Sequence, residues 1–309
     1  MTKNLKPVNL HLDSVTIEDI ENHKLISDDE LRRDLKNLNK FDGMKNSNNF
    51  SGNPFLYHYQ LKNLLKCKRQ DGSTIYDVYN DKERWDKLID STRKRNRGGR
   101  TAGGNVFECF RINLGSIVMF KATTAKYLYK KYNAKKVLDP TAGWGGRMLG
   151  AWSLGIDYTG IDTNVEMVDS YNDMITFLGQ ENPMFGDEPK LEMIWKSALD
   201  VDFSQIDYDF VLTSPPYVNL EIYEHMTPWE SDEKFYTEFF IPLWQKCVDN
   251  ISKGGTICFN ISPKMYEDAI SFGLPECDDD EDLKQQMGQK VDSLKKGKKK
   301  QDKIYIWKC

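Results

Sequence analysis

The chain has 309 residues, a formal net charge of −4, and 39% hydrophobic and 12% aromatic residues. That is enough apolar material for one sizeable core, and too little positive charge for a protein that coats nucleic acid through overall charge. No apolar run reaches the roughly 18 residues that span a bilayer, and the first residues lack the apolar segment of a secretory signal, so an intracellular, cytoplasmic setting with no membrane partner is expected.

Residues 1–92 lack the alternation of strand, glycine turn and helix that marks the remainder. A helix is predicted from Asp28-Asp29-Glu30, with Leu31, Leu35 and Leu38 at near-helical spacing. Another over 81–92 places Trp85, Leu88 and Ile89 on one face, and the polar stretch 45–54 between them reads as a loop. This region is expected to be a small helical accessory part. Residues 93–104 follow as a basic, glycine-rich connector, in which Arg93, Lys94, Arg95, Arg97 and Arg100 meet no carboxylate.

From 105 onward the pattern is regular. A helix is predicted over 116–132, with Val118, Ala122, Ala125, Leu128 and Tyr129 on its apolar face. Strands follow at 136–139, 158–162, 191–195, 209–212, 256–261 and 303–307, separated by helices at 147–154, 165–178 and 233–250. The charged segment 278–303 reads as a mobile excursion before the last strand. Short apolar strands alternating with helices indicate an α/β fold with a mostly parallel, doubly wound sheet over 105–309.

Six cysteines without a CxxC pair and four histidines without an HExxH pattern give no basis for a metal site. The chemistry is concentrated elsewhere. Asp139-Pro140-Thr141-Ala142-Gly143-Trp144-Gly145-Gly146 follows a predicted strand, and glycines in such a turn let a ligand approach the backbone where a Cβ would collide. It matches neither a phosphate loop nor GxGxxG, and an ordinary strand-to-helix turn is the alternative. Asp162 ends the next strand, where an acid can accept both hydroxyls of a ribose or cap the following helix. Asp200, in the turn after the third strand, can accept from an adenine amino group or serve only the turn.

These residues resemble the S-adenosylmethionine-binding half of class I methyltransferases, and Asp139–Gly145 looks like the DPxxGxG form of DNA amino-methyltransferases. The resemblance covers about 105–262. It implies that Asp139, Pro140, Thr141, Gly143 and Gly145 face the methionine part of the cofactor and Asp162 its ribose. Phe120 and Lys121 stand in the place of the family's cofactor segment ahead of the glycines, although the sequence there departs from the usual Thr-Pro form.

The second motif is Ser214-Pro215-Pro216-Tyr217, directly after the apolar run Phe210-Val211-Leu212. An exocyclic amino group is a poor nucleophile because its lone pair is delocalised into the ring, and acceptors for both amino hydrogens localise it. In the similar enzymes the first residue of this motif and the carbonyl after it fill that role, here Ser214 Oγ and the Pro215 carbonyl. The paired prolines restrict the backbone that aims them. Tyr217 offers a face on which a target base can stack once it has left the duplex.

The resemblance therefore implies direct methyl transfer to an amino nitrogen of a DNA base, with cytosine N4 ahead of adenine N6 because the motif begins with Ser. No cysteine follows a proline, as a C5-cytosine enzyme would need. RNA or a protein glutamine amide as substrate, and a non-catalytic nucleic-acid-binding module, are the competing readings. Arg93, Arg95, Arg97 and Arg100 are the candidate phosphate contacts, with a solvated linker as the alternative.

Overall fold

The computed structural model of the protein describes residues 11–45, 48–69, 71–95, 100–181, 183, 188–216, 229–282 and 302–309. Six helices come first: α1 (Ile17–Asn22), α2 (Asp28–Lys40), α3 (Asn53–Lys66), α4 (Ile75–Asn80), α5 (Lys82–Arg95) and α6 (Ala102–Leu114). Local chemistry sets their starts. Thr16, Ser27 and Thr74 each form a reciprocal capping box with the acid three residues on. Asp34, buried on α2, accepts from the backbone amides of Gly52 and Phe55 and so fixes the start of α3.

The α/β part continues with α7 (Ala122–Lys131), β1 (Lys136–Asp139), α8 (Gly146–Trp152), β2 (Asp157–Asp162), α9 (Val168–Gly179), β3 (Leu191–Trp195) and β4 (Phe210–Thr213). After it come α10 (Asp232–Phe235), a π-helical turn at Tyr236–Phe240, α11 (Ile241–Asn250), β5 (Thr256–Ile261), α12 (Pro263–Ser271), β6 (Asp279–Asp282) and β7 (Lys303–Lys308). The strands form one seven-stranded sheet in the order β3-β2-β1-β4-β5-β7-β6. β3, β2, β1, β4 and β5 run parallel, and β7 is antiparallel to both β5 and β6. This is the class I methyltransferase topology, as the resemblance implies.

Both faces of the sheet are covered. Val137, Phe210, Leu212, Cys258, Ile304 and Ile306 point into one apolar cluster, whereas Leu138, Val211, Ile257, Phe259, Tyr305 and Trp307 point into the other. The alternation is the two-residue period of a strand, and it makes β1, β4, β5 and β7 apolar on both sides. Among the described residues no helix is long and apolar enough to cross a membrane.

The N-terminal helices share a core with the α/β part: Leu31, Leu35, Phe55, Leu56 and Leu61 lie in the same cluster as Met148, Tyr158 and Phe210. Three boundaries differ from expectation. The connector at 93–104 is helical at both ends: α5 runs through Arg95, and Thr101 caps α6 by accepting from the Gly104 amide. Gly103 serves close packing, since a Cβ there would sit 2.2 Å from the Asp19 carbonyl oxygen of α1. Residues 96–99 lie outside the described residues. The helix expected from 116 begins only at Ala122, because α6 ends on Gly115 at φ 99° and the chain then runs extended to the start of α7.

The acidic run at 278–282 is likewise not wholly an excursion: 279–282 form the edge strand β6, and 283–301 lie outside the described residues. Its inward carboxylate, Glu281, is 4% exposed and is met by Lys45, Lys131, Tyr127 and Tyr132. Those partners, on α7, just after it at Tyr132 and in the loop after α2, are what allow the Glu281 carboxylate to be buried.

A second buried charge ties α7 to α2. Lys126 donates to the carbonyls of Leu38 (2.8 Å) and Asn39 (3.0 Å) at the end of α2. Burial lowers its pKa from 10.5 to about 8. Between those values the unfolded chain binds the proton that the folded chain has lost, so stability rises with pH across that window. Urea unfolding of the wild type and Lys126→Met should therefore show the wild type gaining relative stability from about pH 8 to 10.5. A difference that stays flat across the window would contradict the assignment.

Candidate active site

The turn after β1 is held from beneath by a buried ion pair. Asp139 is 0% exposed; its carboxylate receives Arg147 Nε at 2.6 Å and the Tyr158 hydroxyl at 2.6 Å. Burial opposes the Arg147 charge, but the Asp139 carboxylate outweighs it and raises the guanidinium pKa. Burial, reinforced by Asp139, pushes the Tyr158 phenol up and keeps it a donor. Arg147 also donates to the Thr141 carbonyl, and its guanidinium lies 5.2 Å from the centre of the Phe120 ring. Asp139, read from sequence as facing a cofactor, has its carboxylate hydrogen-bonded to Arg147, Tyr158 and, at 3.4 Å, the Thr141 amide.

The glycines shape the upper side. Gly143 and Gly145 have φ of 59° and 84°, the left-handed region that glycine enters without strain. A Cβ on Gly143 would meet nothing nearer than 3.9 Å, which leaves its face open to a ligand. A Cβ on Gly146 would fall 1.9 Å from the Phe120 carbonyl oxygen, so the segment before α7 presses directly on the turn. Lys121, the neighbour of Phe120, is buried with its ammonium 4.5 Å from the centre of the Phe50 ring. Pro140 is buried and Thr141 half-buried.

At the end of β2, Asp162 accepts from the amide of Gly143 at 2.8 Å and of Asn164 at 2.9 Å. Burial raises its pKa, with those two amides opposing the rise. A carboxylate fixed at the rim of the turn retains acceptor capacity on both oxygens and suits a vicinal diol. Asp200 is exposed beyond β3, in the short turn where Ser197 accepts from the Leu199 amide.

The β4 end is joined to this turn. Thr141 Oγ1 and Thr213 Oγ1 lie 2.6 Å apart, so the hydroxyls bridge the ends of β1 and β4 at the point where the strand order reverses. Such a switch point is where open α/β sheets bind ligands. Ser214 follows, half-buried between this bridge and β5. Its hydroxyl donates to the Asn260 carbonyl at 3.2 Å and accepts from Asn260 Nδ2 at 3.2 Å. One lone pair of Ser214 Oγ is left for a further donor. Asn260 is 6% exposed, and its Oδ1 is buried without a partner among the described residues.

The structure thus brings together the glycine turn, Asp162 and Ser214; Pro215 is buried and Pro216 half-buried beside them. Tyr217 lies outside the described residues, as does Arg97. Arg93 pairs with Asp90 and Asp13, Arg100 pairs with Glu108, and Arg95 is exposed at the end of α5. Sequence reading missed Arg147, Tyr158, Thr213 and Asn260. Two of these left a signal: a cation in the apolar run Arg147-Met148-Leu149, and an amide inside the apolar strand Cys258-Phe259-Asn260-Ile261.

Comparison with known proteins gives one curated relative, the tRNA (guanine(10)-N2)-dimethyltransferase of Methanothermobacter thermautotrophicus. It is 28% identical over 123 residues, which is 40% of this chain and 32% of the relative's length. No family model matches the chain. Solved structures overlap loosely. TrmN from Thermus thermophilus is 14% identical with a TM-score of 0.41, covering 60% of this chain and 48% of that one. An rRNA methylase from Streptococcus thermophilus is 11% identical with a TM-score of 0.39, covering 62% of this chain and 97% of that one. Strand order and direction, rather than these overlaps, define the fold.

The buried pair under the turn makes a thermodynamic prediction. Arg147→Met leaves the Asp139 carboxylate buried without its cation, a loss of about 3–5 kcal/mol. The double variant Asp139→Asn with Arg147→Met should lose less than the two single changes added together. Equilibrium urea unfolding measures both, and strict additivity would mean the two side chains are not coupled.

Proposed function

We propose that the protein is an S-adenosylmethionine-dependent methyltransferase acting on an exocyclic amino nitrogen of a nucleic-acid base, with RNA as the polymer. The observation that carries this reading is the Thr141–Thr213 contact of 2.6 Å, which sets the nucleoside-binding turn beside the Ser-Pro-Pro end of β4. The open Gly143 face and the Asp162 carboxylate fit the cofactor, with Asp162 taking the ribose hydroxyls and the turn backbone taking the methionine portion. When bound, the cofactor supplies an activated methyl group on a sulfonium.

The chain's own residues prepare the acceptor nitrogen. Ser214 Oγ, its proton directed to the Asn260 carbonyl, presents a lone pair to one amino hydrogen of the base. The Pro215 carbonyl takes the other. With both hydrogens held, the nitrogen lone pair leaves conjugation with the ring and points at the methyl carbon, so positioning and electrostatics do the work without a covalent enzyme intermediate. Asn260 is a positioning residue that fixes the rotamer of the Ser214 hydroxyl through Nδ2. Tyr217 is assigned the stacking face for the base.

Support for RNA comes from the curated relative, whose name describes methylation of a guanine amino group in tRNA. The second reading, a DNA base, draws on the Ser-Pro-Pro-Tyr motif and its position downstream of the glycine turn.

The test is incubation of the purified protein with labelled S-adenosylmethionine and separate RNA, DNA and protein substrates, then nucleoside mass analysis. Label on an amino nitrogen of an RNA nucleoside is expected. Label in DNA alone would move the assignment to the second reading, and label in protein alone would end both. Ser214→Ala should lower transfer by about 100-fold, with cofactor affinity little changed. Asn260→Ala should lower kcat in the same direction but less, while Asn260→Gln should not restore it, because the longer amide cannot hold the same contact. Loss of cofactor binding in Ser214→Ala equal to that in Asp162→Ala would contradict this division of roles.

A further inference from the structure

A second charged site lies on the helical side of the molecule. Arg100 and Arg111 converge on the same oxygen of Glu108, at 3.4 and 3.3 Å. Lys24 lies 5.3 Å from the centre of the Tyr57 ring, Arg111 5.6 Å from that of Phe107, and the two rings are 6.4 Å apart. Arg69, 7% exposed, lies 5.0 Å from the centre of the Phe110 ring. It donates to the Leu64 carbonyl, but its Nε and one terminal nitrogen are buried without a partner among the described residues, and so is Arg111 Nε. Among the described residues Arg100, Arg111 and Lys24 share the Glu108 carboxylate, and Arg69 adds a buried charge beside Arg111.

A guanidinium buried without a counter-charge is expensive unless something else supplies the negative charge. Burial and the neighbouring Arg100 and Arg111 also draw the Lys24 ammonium below its ordinary pKa, and Glu108 only partly offsets them. His23, near the same cations, offers no negative charge: burial holds its imidazole down to about 4, and its Nδ1 faces the Ile20 carbonyl. Lys94 and Arg95 are exposed in the last turn of α5. Several separate cations suit a polymer of phosphates better than one small anion. The site also stands close to the turn described above. Leu56, one residue before Tyr57 on α3, comes within 3.6 Å of where a Cβ on Gly145 would be. One helix, about 10 Å across, separates the cations from the cofactor turn.

We infer that Lys24, Arg100 and Arg111, backed by the buried charge of Arg69, form a phosphate-binding site for the backbone of the nucleic-acid substrate. The inference rests on the nucleic-acid reading above and adds the surface that holds the strand beside the reacting base. Such contacts give affinity and register, not base sequence.

The experiment is fluorescence anisotropy of the full chain with a labelled single-stranded oligonucleotide, as RNA and as DNA, across a sodium chloride series. The double variant Lys24→Gln with Arg111→Gln should bind at least about tenfold more weakly at low salt and flatten the log–log salt slope by about 1.4, at about 0.7 per lost phosphate contact. Arg33→Gln, an exposed cation on α2, should leave the slope unchanged. Arg111→Lys, which keeps the charge, should retain most of it and guards against a folding defect. Ser214→Ala should keep wild-type affinity and slope while losing transfer, so failure of the methylation reading and failure of this site give different results. A salt slope in the double variant equal to that of the wild type overturns the inference. So does inorganic phosphate binding to the wild type when neither oligonucleotide does.

Discussion

The buried pair between Asp139 and Arg147 is the interaction on which the candidate site depends. Asp139 closes β1 and Arg147 lies in the first turn of α8, so the pair pins the two ends of the glycine turn to each other. Tyr158 of β2 adds a second tether through its hydroxyl. At Gly143 the turn is open, since a Cβ there would meet nothing nearer than 3.9 Å. A turn fixed in this way presents a ligand with a preformed surface and avoids the entropy of ordering a loop on binding.

The sheet order turns that local device into a site. β1 lies between β2 and β4, so the carboxyl ends of the three strands bring the glycine turn, Asp162 and Ser214 to one crevice, although they are far apart in sequence. The Thr141–Thr213 bridge and the Ser214–Asn260 contacts then fix the spacing between the halves. The helical layer contributes as well: α3 and the segment ending at Phe120 pack onto the turn from the other side. A change in the N-terminal helices would therefore be felt at the candidate cofactor site, which an appended accessory part would not transmit.

Much of the sheet was legible because its signal is local. A parallel strand buried on both faces reads as a short apolar run, and β1, β4 and β5 read that way. The turn glycines and Ser-Pro-Pro-Tyr were legible because their backbone constraints need particular residue types. What escaped was long-range. Nothing local says that Gly103 and Gly104 lie inside a helix packed on α1, or that Glu281 in an acidic run points inward to Lys45 and Lys131. The roles of Arg147 and Asn260 depend on partners on other elements, Asp139 on β1 and Ser214 after β4, and periodicity carries no information about them. The helical ends of 93–104 escaped for a related reason: basic and glycine-rich composition describes solvation and backbone freedom, whereas Gly103 answers to steric closeness.

We propose that a nucleoside cofactor lies across the ends of β1 and β2 with its reactive end turned toward Ser214. A crystal structure with S-adenosylhomocysteine tests this placement. Ribose hydroxyls are expected on the Asp162 carboxylate, the amino-acid portion along the turn at Gly143, and the sulfur facing the gap between that turn and Ser214. A nucleoside bound away from Asp162, or a sulfur directed away from Ser214, would contradict it.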